Sequence, residues 1–108
     1  MHRHLDLGLP LLLGVALALS GDVIAAGKAR EIVIEGIKFV PDRVEIAVGD
    51  TIKWTNRDLV PHTVTQGSDI ESGTIDVNKQ WEYVARKKGE IDYICRFHPG
   101  MVGKLVVK

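Results

Sequence analysis

The stretch EIDYICRFHPGM (residues 90–101) decides how the rest of the chain is read. Its first half alternates, with Ile91, Tyr93 and Cys95 on one face and charged Glu90 and Asp92 on the other. Such period-two alternation marks a strand with one face buried. Its second half, CRFHPGM, gathers the only cysteine of the sequence, Cys95, with His98 and Met101. Between them, Pro99 and Gly100 suit a tight turn, because proline fixes φ and glycine accepts positive φ. A strand therefore runs into a loop that folds three soft or nitrogen donors back together.

The same alternation recurs outward from this point. VEIAV (44–48) places Val44, Ile46 and Val48 on one face, and TIKWTN (51–56) does so with Ile52 and Trp54. QWEYVA (80–85) puts Trp81 and Tyr83 opposite Glu82. EIVIEGIKF (31–39) is rich in β-branched residues, HTVTQ (62–66) reads as another short strand, and KLVVK (104–108) closes the chain. GSDIESGTIDVNK (67–79) is polar and contains glycine, so it reads as a long loop with at most one short strand. No segment carries a helical period. Six to eight short strands at regular spacing predict an all-β sandwich or barrel. Trp54, Trp81 and Tyr93 are expected to point inward and fill much of its core.

A length of 108 residues suggests one domain. Residues 1–26 read as a secretory signal peptide, with a charged start at Arg3, the apolar run LLLGVALALS and small residues before the cut. Cleavage is expected after Ala25 or Ala26, which leaves residues 27–108 as the domain; retention as an N-terminal anchor is the alternative. The apolar run is shorter than the roughly 20 residues of a membrane span, so no stable membrane insertion is expected. Export to the periplasm makes the lone Cys95 conspicuous, because secreted chains use cysteines in disulfide pairs. From Gly27 onward 13 Lys and Arg (all 14 except Arg3) face 12 Asp and Glu (all 14 except Asp6 and Asp22). They form no basic stripe and no polybasic arm, which gives no support to a nucleic-acid or membrane-surface binder.

Cys95, His98 and Met101 have the spacing C-x2-H-x2-M, and His62 in VPHTV is the other histidine after the leader. Pro61 stiffens its approach and keeps Val60 extended. Singly, each residue has a plain reading: a buried thiol, a core methionine, a hydrogen-bonded histidine. Jointly, a thiolate and two imidazoles with a weak axial thioether make up a blue-copper set. Thiolate and thioether suit Cu(I), imidazole serves both oxidation states, and zinc rarely recruits methionine. The predicted metal ligands are His62, Cys95, His98 and Met101. Protein donors fill every position, so electron transfer is expected rather than turnover of a substrate. A copper carrier or resistance protein would use the same ligands, but no further Met- or His-rich tract is present. A Cys95–His98 nucleophilic pair is a third reading, and it leaves His62 and Met101 unexplained.

At these residues the chain resembles the cupredoxins, the blue-copper family that includes plastocyanin, pseudoazurin and amicyanin. GDTIKWTNRDLVPHTV (49–64) is similar to the family's segment before its first ligand histidine, and GEIDYICRFHPGMVGKLVV (89–107) to its C-terminal copper loop. The short loop is most like those of amicyanin and plastocyanin. The resemblance implies a small Greek-key β-sandwich holding one copper on His62, Cys95, His98 and Met101, and a monomeric one-electron shuttle. It implies that Thr63 ties the first-ligand strand to the cysteine loop. It also implies an electron port at His98, ringed by Pro61, Phe97, Pro99 and Gly100, where redox proteins such as a cytochrome, dehydrogenase or reductase dock. Arg57 and Arg96 are expected near that port or on solvated surface. In short-loop members the loop histidine can leave Cu(I) on protonation, so His98 is where acid would act. The acidic patches of plastocyanin are not evident here.

Overall fold

The computed structural model describes residues 27–108; the expected signal peptide and its cleavage site lie outside them. Nine strands follow one another: β1 (Ala29–Ile34), β2 (Phe39–Val40), β3 (Arg43–Ile46), β4 (Thr51–Asn56), β5 (Thr65–Gln66), β6 (Ile70–Glu71), β7 (Gln80–Val84), β8 (Gly89–Ile94) and β9 (Val102–Val107). There is no helix among the described residues. One sheet has the order β2-β1-β4-β7 and the other β3-β9-β8-β5-β6. Both are mixed, because β1 runs parallel to β4 and β3 parallel to β9. The result is the expected β-sandwich, with nine strands instead of six to eight because β2, β5 and β6 are only two residues long.

The alternation read from the sequence becomes the core. Ile32 and Ile34 of β1, Ile52 and Trp54 of β4, Tyr93 of β8 and Leu105 and Val107 of β9 all point inward. The Trp54 indole N–H donates to the Tyr93 hydroxyl at 3.3 Å. Phe39 and Trp54 meet the Tyr93 ring edge-on, with centroids 4.7 and 5.4 Å away. Such pairs add to simple burial of area. Burial also pushes the Tyr93 hydroxyl up to about 12, since the phenolate would be desolvated.

Three expectations change. EIVIEGIKF is not one strand: β1 stops at Ile34 and a turn intervenes before β2, with Gly36 and Ile37 at φ of 64° and 58°. Val48 does not join Val44 and Ile46; it lies past β3 in the turn that Asp50 organises, accepting from Ala47 N–H and Lys28 N–H. Trp81 is half-buried. It pairs with Trp54 across β4 and β7 but sits on an edge strand, tilted 5.6 Å from Trp54 and stacked on Tyr83.

Opposite Tyr93 on β9 stands Gly103. A Cβ there would fall 2.3 Å from the Tyr93 ring and hydroxyl, so only glycine lets the ring lie across the strand. Gly103→Ala is expected to destabilise the domain by about 3 kcal/mol through overpacking, measured as a lower urea midpoint.

Candidate metal centre

Four segments converge at one end of the sandwich. Cys95 follows the last residue of β8, so it keeps the inward phase of Tyr93 and is 2 % exposed. The loop after it is two successive turns sharing His98. His98 N–H donates to Cys95 C=O at 3.4 Å, and Met101 N–H donates to His98 C=O at 3.1 Å. The second turn has Pro99 and then Gly100 at φ 86°, the residues a type II turn requires. Cys95 N–H closes the loop on Met101 C=O at 3.1 Å, and Met101 is buried in the same core cluster as Cys95.

His62 arrives from the other side of the same sheet. HTVTQ proves shorter as a strand than its sequence suggests, with β5 covering only Thr65 and Gln66. The upstream backbone groups are committed elsewhere. His62 exchanges both backbone bonds with Ile75, Thr63 N–H points at the Cys95 sulfur, and Val64 N–H donates to Ser72 Oγ. The long loop 67–79 thus supplies both β6 and the Ile75 bridge that pins His62.

The His62 ring is wholly buried, and its Nδ1 lies 3.7 Å from Cys95 Sγ. His98 Nδ1 lies 3.5 Å from the same sulfur. The three ligand atoms all fall within 4.8 Å of one another. A nitrogen at about 2.0 Å and a sulfur at about 2.3 Å from one ion, in a trigonal plane, stand about 3.6–3.8 Å apart. The donor spacing and the donor chemistry therefore both fit a copper site of the blue type. The predicted residues His62, Cys95 and His98 are brought together, and the loop ties the Met101 backbone to those of Cys95 and His98.

The surrounding bonds hold these donors in place. Thr63 N–H donates to Cys95 Sγ at 3.4 Å, while Arg96 N–H donates to Thr63 Oγ1 at 2.9 Å. The tie between the His62 segment and the cysteine loop expected of Thr63 is present. A donor on the sulfur withdraws charge from it and tunes a bound metal. Arg96 turns its guanidinium away to Glu71 at 3.2 Å, and Arg57 is exposed.

Asp58 was not read as a site residue from sequence. Its Oδ2 lies 2.8 Å from His62 Nε2 and also accepts Ile37 N–H at 2.8 Å. Burial pushes this carboxyl up, but the bonds from Ile37, His62 and Leu59 outweigh it and hold it below the ordinary carboxylate range. The only signal in the sequence was a carboxylate four residues before the histidine. Asn56 was missed as well: its buried amide donates to the carbonyls of Val60 and Ile75, each at 2.9 Å.

His98 is half-buried, and its loop neighbours Phe97, Pro99 and Gly100 are exposed. Phe97 is 45 % exposed and Leu59 89 %, beside exposed Val60, Pro61, Pro99 and Gly100. Leu59 and Val60, exposed just before Pro61 and His62, are apolar as well.

An all-β sandwich with a Cys-His-His group, two of its members buried and the third half-buried on a methionine-bearing loop, defines a class. The Cupredoxin-like domain family model matches residues 9–107, and the chain belongs to that family. It is 33 % identical over 90 residues to amicyanin-alpha of Methylorubrum extorquens, covering 78 % of this chain and 76 % of the relative. Plastocyanin of Cucumis sativus is 29 % identical over 87 residues, covering 66 % of this chain and 88 % of that one. A purple cupredoxin from Nitrosopumilus maritimus superimposes with TM-score 0.66 at 30 % identity, over 73 % of this chain and all but 1 % of that one. A Cu(I) amicyanin mutant gives TM-score 0.71 at 27 % identity, over 74 % and 82 %. The family binds copper and carries electrons; its members are not enzymes. A nucleophilic Cys95–His98 pair is thereby set aside.

Proposed function

We propose that this chain is a periplasmic one-electron carrier holding one copper on His62, Cys95, His98 and Met101. The observation that carries the reading is the buried Cys95 sulfur, set 3.7 and 3.5 Å from two imidazole nitrogens. Copper bound there would supply a Cu(II)/Cu(I) couple. The chain's own residues do the rest. Asp58, Thr63 and the two turns of the loop fix the donors before the ion arrives, so little rearrangement accompanies a change of charge. The buried His62, Cys95 and Met101 keep water from the sulfur. His98, partly open at the apolar surface, provides the short path outward. Leu59, Phe97 and Pro99 form a face without fixed charge, suited to brief docking of a redox protein. The periplasmic location rests on the charged start, apolar run and small residues of the first 26 positions.

Voltammetry of the copper-loaded protein tests the proposal. A reversible one-electron wave is expected. Met101→Leu should raise its potential by at least about 59 mV, a tenfold change in the preference for Cu(I), because losing the axial thioether weakens the hold on Cu(II) more. A wave unmoved by Met101→Leu would remove Met101 from the ligand set.

A further inference from the structure

A buried imidazole has to place its one N–H somewhere, and the placement decides which nitrogen keeps a lone pair for a metal. For His62 the choice is made by an ionised carboxylate at 2.8 Å from Nε2. A carboxylate can only accept, so the proton sits on Nε2 and Nδ1 faces Cys95 with its lone pair free. Asp58 is itself held through both its side chain and its backbone. Asp58 Oδ2 takes Ile37 N–H at 2.8 Å, and Asp58 N–H donates to Asn56 Oδ1 at 2.9 Å. Ile37 presents that N–H from a left-handed conformation, φ 58°, which a β-branched residue rarely adopts. Strain of that kind collects where surrounding structure and function require it. The Asp58 side chain is only 14 % exposed, so little water screens its charge from the ring.

We propose that Asp58 is a positioning residue of the metal centre: anchored on the β1–β2 turn, its carboxylate fixes the His62 ring with Nδ1 toward Cys95 and keeps a negative charge behind that ring. This deepens the copper-carrier reading and rests on it. A carboxylate behind a ligating imidazole makes the ring a stronger donor and favours the more highly charged metal state. The β1–β2 turn thereby sets a property of a site to which it contributes no ligand.

Two substitutions separate the charge from the tether. Asp58→Asn keeps an acceptor oxygen and removes the charge. Asp58→Ala removes both. With copper bound, Asp58→Asn is expected to shift the balance about tenfold toward Cu(I), which is a rise of about 59 mV by voltammetry. Asp58→Ala is expected to weaken Cu(II) binding a further 10- to 100-fold, roughly the range for partners of metal-bound histidines. In the metal-free protein, 15N NMR should find His62 as the Nε2–H tautomer in wild type and a mixture of tautomers in Asp58→Ala. A purely structural Asp58 would lower the unfolding midpoint and leave the potential of Asp58→Asn within twofold of wild type in that balance; this result overturns the proposal. So does an unmixed Nε2–H tautomer in Asp58→Ala. Should wild type form no thiolate-copper site at all, the copper reading fails by itself, and the metal-free NMR comparison still decides whether Asp58 positions the ring.

Discussion

Cys95→Ala is expected to abolish the thiolate-copper centre and lower Cu(II) affinity by more than about 100-fold, beyond the range for losing an outer partner alone. The reasoning is local. Both imidazole nitrogens converge on this sulfur, and Thr63 N–H points at it as well, so removing it leaves the three groups without their common neighbour. The fold should survive, because the cavity left by one sulfur is small and costs about 1–2 kcal/mol. Titration calorimetry with Cu(II), alongside circular dichroism of the metal-free variant, checks both halves. An affinity within threefold of wild type in a folded variant would mean that copper is held elsewhere.

Trp54→Ala is expected to produce the largest loss of stability. Trp54 is fully buried, packs against Tyr93 and Trp81, and donates its N–H to the Tyr93 hydroxyl. Truncating a buried tryptophan costs about 3–5 kcal/mol. Leaving the Tyr93 hydroxyl buried without its donor adds about 1–3 kcal/mol. A domain of this size has total stability near the low end of about 5–15 kcal/mol. The variant is therefore expected to be largely unfolded at room temperature, seen as loss of the near-ultraviolet circular dichroism signal. Trp81→Ala, on the edge strand and half-buried, should lose far less. Equal losses at the two positions would contradict the placement of the core.

The residues that were legible in the sequence act through short-range rules. Tyr93 and Cys95 share a face because a strand alternates, and His98, Pro99, Gly100 and Met101 return to Cys95 because proline followed by glycine makes a turn. His62 was legible for a different reason, since no other histidine after residue 26 could complete the donor set. What was not legible depends on partners far away in the chain. The end of β1 at Ile34 is set by a turn whose Ile37 N–H finds Asp58 21 residues later. The shortness of β5 follows from Thr63 and Val64 bonding to Cys95 and Ser72 rather than to a neighbouring strand. Val48 shares the phase of Val44 and Ile46, yet the turn around Asp50 takes it out of the sheet before phase matters. Asp58 looked like an ordinary loop carboxylate because its meaning lies in one distance to His62 Nε2. Periodicity and turn chemistry thus reach the candidate ligands, whereas the groups that orient them emerge only with the tertiary hydrogen bonds.

The most direct test is the visible and EPR spectrum of the purified protein after one equivalent of Cu(II), followed by ascorbate. An intense colour that ascorbate bleaches, carried by Cu(II) with a narrow hyperfine splitting and absent in Cys95→Ala, is the predicted result. A colourless protein, or a pale ordinary Cu(II) signal that Cys95→Ala leaves unchanged, would contradict the assignment of the Cys95 sulfur to copper.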